Sequence, residues 1–213
     1  MNQGLLRGLN AQWLPPWLGG GDPANDGKVV TANSSVQGGV SLMQPSQVLI
    51  ASSVLAAAAA SVTFSSIPGT YNHLQLTAVA QSSDASTDQF LVQFNGDTAG
   101  HYGALRYAWN GSGAGQSTGS GMTSAQSSSS GDLAPNTGIE SSLLVLDIPY
   151  YANTTFQKIC LWNSGFTTQS AGGTQFVAMV AWNSSAAITS MKVYTSSGDN
   201  FIAGSAFYLY GIT

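Results

Sequence analysis

From about residue 47 to the C-terminus the chain repeats one pattern: short runs of alternating apolar and polar residues, each closed by a cluster of turn formers. Within residues 71–80, Leu74, Leu76, Ala78 and Ala80 fall on one side, and His73, Gln75 and Thr77 on the other. Phe90, Val92 and Phe94 share a side, and Met191 and Val193 oppose Ser190 and Lys192. A period of two is that of a strand with one face in a core. No segment after residue 47 has a convincing helical period, and only Ala56 to Ala60 is helix-prone. The pattern predicts strands at 47–55, 60–67, 71–81, 88–95, 102–109, 141–148, 155–163, 174–182, 187–195 and 203–212. Ser66-Ile67-Pro68-Gly69, Asn95-Gly96-Asp97 and Ser196 to Asn200 break the runs with residues suited to tight turns. Strands in this number without intervening helices imply an all-β fold, an antiparallel two-sheet β-sandwich of jelly-roll type.

Two runs depart from alternation. Leu143-Leu144-Val145-Leu146 and Phe176 to Val180 are apolar on both faces. Such runs belong to central strands, or to strands covered by a second chain. Residues 110–138 depart in the other direction. They are dominated by Gly and Ser, offer little apolar area to bury, and read as one long loop of functional or mobile character. Met122 and Leu133 lie inside it, and Tyr107 and Trp109 lead into it.

The N-terminal part has a different character. Leu5, Leu6, Leu9, Trp13 and Leu14 follow the spacing of one helical stripe, stopped by Pro15-Pro16. Trp17 and Leu18 follow, then the hinge Gly19-Gly20-Gly21. A helix this short does not persist alone in water. Its apolar residues must be buried against something else, either their own domain or a partner; the hinge favours separation, so residues 1–22 read as a docking segment whose Leu5, Leu6, Leu9, Trp13, Leu14 and Trp17 are buried against a partner. Residues 23–46 read as a connector with one strand-like piece, Gly27 to Thr31, and residues 47–213 as the sandwich domain.

Charged residues make up only 7% of the chain, against roughly 25% in an ordinary soluble domain. The polar surface must come from Ser, Thr, Asn, Gln and Gly, which suits permanent packing in an assembly or contact with neutral polar ligands such as glycans. The five Lys and Arg (Arg7, Lys28, Arg106, Lys158 and Lys192) are scattered, which argues against a nucleic-acid partner. No apolar run approaches the length of a membrane span.

Chemistry-bearing residues are few. The single cysteine, Cys160, sits in the apolar run Lys158 to Trp162 and reads as a core thiol. His73 lies on a polar strand face and His101 in a loop, with no zinc spacing. Asp84 and Asp88 could be close, with Asp97 joining them across a hairpin, but the calcium-loop pattern is absent. No Gly-x-Ser-x-Gly elbow is present. The expectation is a protein without catalytic residues, cofactor or metal. Its contacts would be made by aromatics at strand ends, with Tyr102, Tyr107 and Trp109 as the outward candidates.

The residues also suggest a family. SVTFSSIP followed by Tyr71 and His73-Leu74-Gln75-Leu76, the FNGDT turn, LDIPYYANT at 146–154, Trp182-Asn183 before Ala187-Ile188-Thr189, and the ending Leu209-Tyr210-Gly211-Ile212 resemble a module of tailed-bacteriophage virion proteins. The resemblance covers roughly residues 48–213. It implies a virion location, exposed on the particle after assembly in the bacterial cytoplasm. It implies a role as tail fibre, head fibre, minor tail protein or capsid decoration, and it carries over no catalytic residues. It also implies other virion proteins as partners through the N-terminus, a homo-oligomer with a trimer favoured, and a host surface glycan as a further contact. The chain has no long shaft and no heptads, which favours a short peripheral protein. The rival readings are a carbohydrate-binding module or lectin, and a polysaccharide depolymerase domain.

Overall fold

The computed structural model describes residues 29–32, 40–43, 46–110, 113–127, 131–168 and 172–213. The expected docking residues Leu5, Leu6, Leu9, Trp13, Leu14 and Trp17 lie outside the described residues. The chain divides into two units, residues 1–46 with Thr213, and Gln47–Ile212. In the first, β1 (Val29–Ala32) pairs antiparallel with β2 (Val40–Met43), Val30 opposite Leu42.

The second unit is all-β. Its strands are β3 (Gln47–Val54), β4 (Ser61–Phe64), β5 (His73–Ala80), β6 (Phe90–Phe94), β7 (Tyr102–Trp109), β8 (Ala114–Met122), β9 (Ser142–Pro149), β10 (Lys158–Thr168), β11 (Gly172–Trp182), β12 (Met191–Thr195) and β13 (Ala206–Ile212). They form an eight-stranded sheet in the order β3-β13-β5-β9-β10-β11-β7-β8 and a three-stranded sheet in the order β4-β12-β6. All pairings are antiparallel.

The winding is that of a jelly roll. The four strands β3-β13-β5-β9 make one sheet, and β4-β12-β6 make the other. The fourth place of the smaller sheet is taken by residues 123–127 and 131–135, where Ala125 bridges Val92 and Leu133 bridges Asp88. Two hairpins, β10–β11 and β7–β8, then add four more strands to the larger sheet.

The alternation explains the core. The inward residues Leu74, Leu76, Leu144, Leu146, Phe207 and Leu209 of the large sheet are fully buried. They share one cluster with Phe90, Val92, Phe94, Met191 and Val193 of the small sheet. Each such side chain contributes about 1.5–3 kcal/mol on burial. The aromatic packing is tight where the sheets meet: Phe201 meets Phe207 edge-on at 4.9 Å between ring centroids.

Buried acids stitch the layers. Asp132 lies wholly inside, accepting from Ser127 Oγ (2.7 Å), Ser164 Oγ (2.6 Å) and the Phe90 amide (2.9 Å). Asp88 accepts from the hydroxyls of Ser82, Ser196 and Ser197 and from the Gln89 amide. Burial opposes ionisation of Asp88, but these donors hold its carboxyl below the usual carboxylate value.

Two expectations need correction. Residues 110–138 are not one long loop. Ala114–Met122 form β8, paired along β7 from Tyr102 to Trp109, and Leu133, Ala134 and Asp132 are buried. Backbone hydrogen bonds to a neighbouring strand need no apolar side chains, so Gly and Ser can hold an edge strand that periodicity does not reveal. The strand expected to end at 163 continues to Thr168, because the hairpin partner β11 pairs with it as far as Gly172. The helix-prone stretch Ala56 to Ala60 forms no helix, in keeping with the all-β expectation, and Ala59 bridges Phe201.

Candidate interaction face and groove

The outward positions of the large sheet carry the features that distinguish this molecule. Register aligns them in rows running across the strands. One row reads Tyr208, Thr77, Val145, Asn163, Val177, Tyr107 from β13 to β7. The next reads Tyr210, Gln75, Asp147, Leu161, Met179, Leu105. Leu161 (54% exposed), Met179 (51%), Leu105 and Val177 form one contiguous apolar patch on β10, β11 and β7. Among the described residues, His73 and Asp147 are the only ionisable side chains other than tyrosine at outward positions of this sheet. Asp147 is engaged by Gln75 Nε2 at 2.8 Å, and Gln75 in turn accepts from Gln47.

A third row reads Val79, Leu143, Gly165, Gln175, Trp109 from β5 to β7. Here the face sinks into a groove of about 600 Å3. Its floor is bare backbone. Gly165 has φ of 154°, and a Cβ there would collide with the Thr174 carbonyl oxygen. Gly173, diagonally placed on β11, would likewise drive a Cβ into the Phe166 carbonyl. Val79 and Leu143 stand on one side of this strip and Trp109, 47% exposed, on the other. The side-chain amides of Asn163 and Gln175 meet at 3.4 Å. No ionisable side chain lines the groove among the described residues.

A second hollow of about 310 Å3 lies at the opposite end of the strands, between Pro149, Tyr150, Phe156 and Ile159. Tyr150 and Phe156 are both exposed there.

The expected outward aromatics divide. Tyr107 and Trp109 occupy adjacent rows of the outer face. Tyr102 is a correction: it points inward and is 1% exposed. The reason is parity, since Tyr102 sits an odd number of residues from both on one strand and must face the other way. Its hydroxyl accepts from the Phe94 amide at 2.9 Å, and its ring stacks on Trp182.

Of the acids considered for catalysis or calcium, Asp84 and Asp88 meet at the Ser82 hydroxyl, which accepts from the Asp84 amide at 3.1 Å and donates to Asp88 Oδ2 at 3.2 Å, but Asp97 does not join them. Asp88 precedes β6 and Asp97 follows it. Asp97 serves its own turn instead, binding Trp182 Nε1 at 2.6 Å, His101 Nδ1 at 2.8 Å and the Ala99 amide at 2.9 Å. Among the described residues no three His, Cys, Asp or Glu side chains converge. Cys160 is buried as expected, and burial pushes its thiol up to about 12. Sequence reasoning missed Gly165, Asn163 and Gln175, because a glycine inside Asn163-Ser164-Gly165 resembles a strand end. The usable signal was the doubly apolar runs on β9 and β11, whose outward members Leu143, Val177 and Met179 are the exposed ones.

No protein-family model matches this chain, and no curated protein or solved structure matches it.

Proposed function

We propose that the chain is a bacteriophage virion structural protein, a short fibre or decoration protein that joins the particle through its N-terminal segment and displays the sandwich. The observation that supports this reading is the uncharged apolar patch of Leu105, Leu161, Val177 and Met179 on the outer face of the large sheet. A contiguous patch of this kind marks a surface made to be covered. Freely diffusing domains keep neighbours apart with charged side chains, of which this face carries only Asp147 and His73 among the described residues. Eight strands at about 4.8 Å spacing span roughly 34 Å, room for the about 800 Å2 per partner that a stable contact needs. The partner is a second copy of the chain in a homo-oligomer, with a trimer favoured by the resemblance, beside other virion proteins that receive residues 1–22.

Light scattering on the purified full-length chain tests the assembly. A defined oligomer is expected, and Leu161→Glu with Met179→Glu should dissociate it while the melting temperature stays close to that of the parent. A monomeric parent chain would overturn it. Mass spectrometry of purified particles tests the location: the chain should be a stoichiometric component, lost when residues 1–22 are removed. Continued incorporation of the truncated chain would rule out N-terminal docking.

A further inference from the structure

We infer that the groove over Gly165 is a binding site for a neutral oligosaccharide. It is a different part of the face from the assembly patch, and the inference does not depend on the virion reading.

The argument starts from what a sugar presents: an apolar C–H face, a rim of hydroxyls that both donate and accept, and, when neutral, no charge. The groove offers the complement of each. Trp109, held at the strand end next to Gln175 and half in solvent, presents a flat apolar ring with a polar edge. Leu143 and Val79 supply apolar contact on the far side of the bare strip. Asn163 and Gln175 supply amides, each with donor and acceptor capacity. Their mutual bond of 3.4 Å is at the long limit, so exchanging it for ligand hydroxyls gives up little.

Two further observations favour a ligand over plain surface. The floor is open because Gly165 and Gly173 both sit where backbone from the adjacent strand leaves no room for a Cβ. The hollow is therefore set by main chain and persists without a ligand. Its volume of about 600 Å3 is that of a small-molecule site, inside the usual range of about 300–1,000 Å3. Charge decides the class. With no ionisable side chain in the lining among the described residues, an acidic sugar or phosphate would lose its hydration and gain no counter-charge, whereas a neutral glycan loses only hydrogen bonds that the amides and hydroxyls restore.

The test is a printed array of neutral gluco-, galacto- and manno-oligosaccharides beside uronate-containing and sialylated ones, read with the full-length chain. Hits are then titrated by tryptophan fluorescence. Binding confined to neutral oligosaccharides is expected. Trp109→Ala and Asn163→Ala should each weaken it by about tenfold or more, with melting temperature and oligomeric state unchanged, and Trp109→Phe should retain part of it. Phe156→Ala, in the second hollow, should leave affinity as it was. Three results would overturn the inference: no neutral oligosaccharide bound at millimolar concentration, preference for acidic glycans, or binding that survives Trp109→Ala.

Discussion

The Ser164 hydroxyl donates to Asp132 Oδ2 at 2.6 Å, and both residues are buried between the sheets. Ser164 also accepts from Trp162 Nε1 at 2.8 Å, so one serine ties strand β10 to the segment that completes the smaller sheet. Burial raises the Asp132 carboxyl, and the donors Ser164, Ser127 and Phe90 N oppose that without cancelling it. An acid raised in the folded state keeps its proton more firmly there than when unfolded. Its contribution is fully present below the ordinary Asp value of about 3.9 and is lost as pH rises through the folded value. Asp132→Asn should remove that decline, so urea melts across the pH range should show the variant gaining on the parent as pH rises. Asp132→Ala leaves the Phe90 amide and one of the two hydroxyls without an acceptor, since Ser127 and Ser164 lie 2.9 Å apart and can bond to each other only once, and should cost about 3 kcal/mol or more.

Among the described glycines, Gly165 has the closest backbone neighbour in the way of a side chain. A side chain there faces both an unfavourable φ of 154° and the Thr174 carbonyl. Gly165→Ala should destabilise by about 2–4 kcal/mol, measured by denaturant unfolding. Gly115→Ala on the open edge strand β8 meets nothing and should stay within about 0.5 kcal/mol of the parent.

Asp97 shows the opposite sign from Asp132. Burial opposes ionisation, but donation from Trp182 Nε1, the Ala99 amide and His101 holds its carboxyl below the ordinary value. A depressed acid contributes stability above its unfolded pKa, and that contribution disappears as pH falls through the lower, folded value. Thermal melts of the parent should therefore fall off at acid pH below about 3.9, and Asp97→Ala should flatten part of that fall. At neutral pH the same variant leaves the Trp182 indole N–H without its acceptor and should cost about 1 kcal/mol or more.

Cys160 should be chemically silent in the native state. Its thiol is wholly buried and pushed up to about 12, so almost no thiolate exists at neutral pH. Labelling by a thiol reagent should proceed only through opening of the core, with a rate that rises in step with urea-induced unfolding. Rapid modification of the native chain at pH 8 would contradict this placement.

Much of the fold was legible because burial on one face forces alternation. The inward sets on β5, β6 and β12 are the residues that the period of two selects. The doubly apolar runs on β9 and β11 were also informative, since both strands are central and their outward residues Leu143, Val177 and Met179 are exposed. The edge strand β8 was illegible for a physical reason: its stability comes from main-chain pairing to β7, and its residues, mostly Gly, Ser, Thr and Gln, carry no apolar alternation.

The sequence by itself determined an all-β sandwich and its core, because hydrophobic periodicity is a local property that each strand expresses alone. It also determined that the surface would be nearly free of charge. Only the tertiary structure decided what that surface does. Trp109 and Leu143 come from strands three places apart in the sheet, and Gly165 lies between them solely through the registers of β9, β10, β11 and β7. Register is fixed by which faces can be buried together, a long-range condition that no single segment encodes. The same condition turned Tyr102 into the core and left Tyr107 and Trp109 outside.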